Sequence, residues 1–159
     1  MNESTQTSLE AALDELAAIA KRGGEPNRYH ARELLVALGN ALLGDTGDAL
    51  EVEPEDLTAS APAGDVVPYL ERALELGERL GPSWRAAART ELELACAEHV
   101  HSVDPRFLSL PNYDWDYTLS ARQRLTARLA AAQRLGLDLP ETLLARVEEA
   151  DERLREHLR

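Results

Sequence analysis

Three times along this chain a helical pattern stops and restarts within a few residues, and that punctuation limits the possible folds more than any other feature. The segments are KRGGEP from Lys21, ERLGPS from Glu78 and QRLGLDLP from Gln133. Each sets arginine or lysine at the negative end of a helix, then glycine, which can take a left-handed conformation, then proline, which suits the opening of the next helix. Helices joined by such short turns fold back on one another. The expected fold is therefore all-α, a single-domain bundle of about six helices arranged as three helical hairpins. A short irregular stack of α-hairpins is the alternative architecture.

Apolar spacing and end signals locate the helices. A first, over residues 7–21, has Thr7 and Glu10 as a capping box and Leu9, Leu13, Leu16 and Ala20 on one face. A second, over 27–43, carries Tyr29, Leu35, Leu38 and Leu42 as its stripe and stops at Gly44. The third is capped by Asp65 and has a wide apolar face of Val66, Leu70, Ala73, Leu74, Gly77 and Leu80. Gly77 costs up to about 1 kcal/mol there relative to alanine, which implies close approach of another helix. The fourth, over 83–101, buries Trp84, Ala88, Leu92 and Ala95. Ser120 and Gln123 form a capping box for the fifth, which reaches Leu135. The sixth has Leu143, Val147, Ala150, Leu154 and Leu158 inward, with Asp151 and Arg155 as an i,i+4 pair on its wet side. The string LERALELGERLG is similar to tetratricopeptide-type hairpins, but the turns recur about 55 to 57 residues apart, far from the ~34 of that repeat, and ordinary capping explains their likeness.

Charge and cysteine use bound the function. With 29 acids against 17 bases the formal net charge is −12, which opposes binding to nucleic acid or an anionic membrane surface. Residues 33–71 hold nine acids and no lysine, arginine or histidine, and within them 44–64 reads as an exposed acidic linker. Asp45, Asp48 and Glu51 do not give the ligand spacing of an EF-hand loop. The single cysteine, Cys96, excludes an internal disulfide and reads as a small buried apolar group. The polar N-terminus lacks the regions of a signal peptide, and the longest uncharged apolar run, 34–43, is too short to span a bilayer. A cytoplasmic location is expected.

The chemistry gathers in residues 104–118, DPRFLSLPNYDWDYT, which hold Phe107, Tyr113, Trp115 and Tyr117, four of the chain's seven aromatics. This stretch reads as a loop between helices, its Tyr113, Trp115 and Tyr117 turned toward the fold by an extended backbone and its Asp114 and Asp116 turned outward. DWDYTL matches the DxDxT core of haloacid-dehalogenase-like phosphotransferases, with Asp114 as nucleophile and Asp116 as acid. That chemistry needs the loop after a strand of a parallel sheet, and no strand pattern precedes it. His99 and His101, with Asp104 nearby, form an HxH pattern that can ligate metal only if the helix ends before His99; on a helix the two rings project about 200° apart. The fifth helix carries Arg122, Arg124, Arg128 and Arg134 and no acid from 118 to 137. Pairing with the acidic sixth helix or the 44–64 linker accounts for them, and a surface for an acidic ligand is the alternative.

No nucleophile with a neighbouring base, phosphate loop, metal motif or cofactor motif can be assembled from these residues. The expectation is a non-enzymatic protein-interaction module, an adaptor, inhibitor or immunity-like partner. Its surface would comprise Arg106, Phe107, Tyr113, Asp114, Trp115, Asp116 and Tyr117, and its partner would be another, basic, protein. The alternative is a small enzyme or a small-ligand or metal-binding protein with Asp114, Asp116 and His99 or His101 at its site.

Overall fold

A computed structural model describes residues 1–44 and 62–158. Among these, helix is the only regular secondary structure, in seven segments: α1 (Glu3–Lys21), α2 (Arg28–Leu43), α3 (Val67–Leu80), α4 (Pro82–Ser102), α5 (Pro105–Leu108), α6 (Trp115–Arg134) and α7 (Glu141–Leu158). The seventh, beyond the expected six, is α5, a single turn inside the stretch read as a loop. All but four residues of the 44–64 linker lie outside the described residues.

The three turns fall where expected, with Gly23, Gly81 and Gly136 at φ near +68°. Several starts differ. Helix α1 begins before Thr7, because the Asn2 side chain accepts from Thr5 N and caps it there. Helix α3 follows Val66 without a side-chain cap, so Asp65 does not fill that role. Ser120 and Gln123 lie inside α6, whose N-cap is Asp114, accepting from Tyr117 N at 2.9 Å.

One helix of each hairpin forms the centre: α2, α4 and α6 pack pairwise on one another, with α2 on α6 the most extensive contact. Helix α1 lies on α2 and α3, and α7 lies on α4. A linear stack would separate the first hairpin from the third, so this is a bundle. Gly39 explains how closely α2 meets α6, since a Cβ there would overlap the backbone carbonyl of Ala127. At Gly77 the close neighbour is the Trp84 indole from the next helix, 3.0 Å from a notional Cβ. Tyr29, placed in the α2 stripe by spacing, is 59% exposed beneath the Arg28 guanidinium, and Leu74 of α3 is also exposed.

The core is divided along its length. A large apolar cluster joins α1, α2, α3 and the first half of α4; a second holds Ala95, Cys96, Leu125 and Val147; a third holds Val103, Leu108, Ala150 and Leu154. Between them in helix order sit buried charges, Glu91 and Arg128 before the second cluster and His99, Arg122 and Asp151 before the third.

Candidate functional site

The third cluster closes one end of the bundle, and of the aromatic stretch Tyr113 and Trp115 pack against it. Asp104 caps α5 and accepts two hydrogen bonds from the Arg106 guanidinium at 3.0 and 3.1 Å. Those bonds, with the one from Arg106 N, hold the half-buried Asp104 carboxyl down to about 2. Arg106 also lies over the Phe107 ring, and His101 meets that ring edge-on at 5.2 Å. After α5 the chain turns and enters α6 at Trp115, so Trp115 and Tyr117 stand on the first helical turn. The extended, period-two arrangement of 113–117 therefore does not form: a capping aspartate and a second aspartate in the first turn are what a helix start requires.

Tyr113 anchors this end. Its hydroxyl, 2.6 Å from both Ser102 O and Thr118 Oγ1, ties the end of α4 to the start of α6. The ring meets Trp115 edge-on at 4.7 Å, and Trp115 in turn stacks on His157 of α7 at 5.5 Å. Trp115 and Phe107 are half-buried, whereas Tyr117 and Leu110 are each 49% exposed. Tyr117 donates its hydroxyl to Glu98 Oε1 at 2.8 Å, which raises its pKa. Among the described residues neither Asp114 nor Asp116 has an ion-pair partner; Arg106 is held by Asp104, and Arg122 by Asp151.

The histidines do not join these carboxylates. His99 is 1% exposed, and its Nε2 lies 2.7 Å from Asp151 Oδ1. A carboxylate only accepts, so Nε2 carries the hydrogen, and the buried Nδ1 has no partner. Among the described residues no group of three His, Cys, Asp or Glu is placed to hold a metal ion; His99, His101 and Asp104 are each engaged separately.

Asp151 is the clearest departure from the sequence reading. It is not on the wet side with Arg155 but 6% exposed, receiving Arg122 Nε at 2.8 Å and Nη2 at 2.9 Å on its two oxygens as well as His99. Thr126 accepts the third contact of Arg122 at 2.7 Å. Burial pushes the Asp151 carboxyl up, but the hydrogen bonds from His99 and Arg122 outweigh it and leave the group below its ordinary value. The second buried pair joins Arg128 Nε and Glu91 Oε1 at 3.3 Å, with Arg28 at 3.9 Å from the other oxygen. Burial raises Glu91 against the attraction of those arginines.

Three of the four charges in these two pairs had a sequence signal. Arg122 and Arg128 fall three residues from Leu125 on either side, and Asp151 lies four after Val147 and three before Leu154, at the spacing of an inward stripe.

Comparison with protein-family models, curated proteins and solved structures finds no match to this chain. Among the described residues no helix is long and apolar enough to cross a membrane.

Proposed function

We propose that the protein is a non-enzymatic interaction module that receives a basic segment of another protein at the aromatic end of the bundle. The observation that carries this reading is a coincidence of chemistry at one place. Tyr117 and Leu110 are exposed and Trp115 half-buried beside Asp114 and Asp116, two carboxylates without a cation among the described residues. A partner side chain combining an aliphatic stem with positive charge matches both halves of that surface. The net charge of −12 favours such a partner at longer range and disfavours nucleic acid and anionic lipid. A cytoplasmic setting fits a chain whose single cysteine is buried and free.

The test is selection from a displayed random-peptide library on the immobilised protein. Enriched peptides should pair arginine or lysine with an aromatic or aliphatic residue, bind less tightly as salt is raised, and lose affinity on Asp116→Asn. Acidic peptides, or basic ones indifferent to Asp116→Asn, would defeat the proposal.

A further inference from the structure

A different place in the fold carries an opposite charge. Helix α2 contributes Arg28 and Arg32, and helix α6 contributes Arg124 and Arg128, each pair at i,i+4 and so on one face of its helix. The α4 residue between them is Glu91, 3.3 Å from Arg128 and 3.9 Å from Arg28. Arg32 and Arg124 are close enough for their charges to act on Arg128, disfavouring its cation in the same direction as burial does. A further carboxylate that acts on Arg128 is Glu98, which accepts the Tyr117 hydroxyl.

The cluster is built as a floor and a rim. Arg128 and Glu91 are 6% and 4% exposed. Arg28 and Arg124 are half-exposed and Arg32 exposed, so the rim is open to solvent. At the floor, Arg128 Nε is buried without a hydrogen bond, although the Glu91 carboxylate lies within ion-pair distance. Arg28 and Arg128 thus share the Glu91 carboxylate, while Arg32 and Arg124 add charge nearby and Arg124 donates to Ser120 Oγ at 2.9 Å, in a chain that is otherwise strongly acidic. Arginine clusters of this kind recognise phosphate and carboxylate through paired N–H donors.

We infer that this junction of α2, α4 and α6 is a binding site for a small multivalent oxyanion, phosphate or polycarboxylate in kind, with Arg128 at its floor and Arg28, Arg32 and Arg124 at its rim. The bound anion relieves the repulsion among the arginines, contacting those of the rim and acting on the buried Arg128 through its charge. The site is separate from the aromatic end, and neither reading depends on the other.

The experiment follows the arginine Nε–Hε resonances of the full chain while inorganic phosphate is added, then citrate in a second series, with chloride at equal ionic strength as control. Saturable shifts at Arg32 and Arg128 are expected with phosphate or citrate and not with chloride, and the stronger of the two identifies the ligand class. Arg32→Gln, an exposed change that leaves the fold intact, should weaken binding about tenfold with the melting temperature unmoved. Glu91→Gln, which removes the competing carboxylate, should tighten it. Shifts that never saturate, that chloride reproduces, or that Arg32→Gln leaves unaltered would overturn the inference.

Discussion

Asp151→Asn distinguishes a buried ionic node from a surface charge by the size of its effect. On the surface, as one half of an i,i+4 pair, Asp151 would contribute about 0.3 to 0.5 kcal/mol. In the structure it is 6% exposed and accepts three hydrogen bonds of 2.7 to 2.9 Å, two of them from Arg122, which is equally buried. Asparagine keeps the shape but removes the charge, leaving the Arg122 cation uncompensated among apolar neighbours, a change that costs roughly 3 to 5 kcal/mol. For a domain of this size that is a fall in melting temperature of about 6 to 20 °C, at ~2 to 4 °C per kcal/mol. Urea unfolding followed by far-ultraviolet circular dichroism gives the free energy directly, and an unchanged m-value shows that the folded state is the same. Arg122→Met with Asp151→Leu should recover most of the loss, because a pair replaced by apolar groups leaves no orphan charge. The sign of the pH dependence follows from the lowered carboxyl: its contribution is complete above the unfolded value near 3.9 and disappears as pH falls through the lower folded one. The gap between wild type and Asp151→Asn should therefore narrow below about pH 4. A loss under 0.5 kcal/mol at neutral pH would refute the buried node.

Gly39→Ala should destabilise by roughly 2 kcal/mol or more, because overlap with the Ala127 backbone outweighs the ~1 kcal/mol gain in helix propensity; a more stable variant in the same urea assay would contradict the close α2–α6 contact. Cys96, fully buried and with its thiol pushed up to about 11 by burial, should resist a disulfide-exchange reagent in the native protein at pH 8 and react at once in urea. Trp115→Ala should cost about 2 kcal/mol, below the 3 to 5 of a fully buried tryptophan, since the ring is half-buried against Tyr113 and His157.

The turns were legible in the sequence because their signals are local: Gly23, Gly81 and Gly136 each follow a helix end and precede a proline-marked restart, and all three take positive φ. Which charges go inside is decided by helices far away in sequence. Arg122 occupies a stripe position between Leu119 and Leu125, but its burial depends on Asp151, 29 residues later, supplying the opposite charge. Residue class alone sends both to the surface. At the aromatic stretch the local signals competed: Pro105, Pro111 and the two aspartates read as a loop, and the Ser120 with Gln123 pattern masked the earlier cap at Asp114. Gly39 was invisible for a similar reason, because nothing in α2 itself says that Ala127 will cross it.

Tyr117→Ala separates a binding surface from a core lid most directly, since the side chain is half out of the fold and, among the described residues, its hydroxyl bonds only the exposed Glu98. Its melting temperature and its affinity for the best basic peptide selected on wild type should be measured together. The account predicts a melting temperature within about 2 °C of wild type, as expected for an exposed hydrogen bond worth less than ~1 kcal/mol, and at least tenfold weaker binding. A variant that binds as well as wild type, or one that fails only because it unfolds, would contradict the assignment of the aromatic end as the interaction surface.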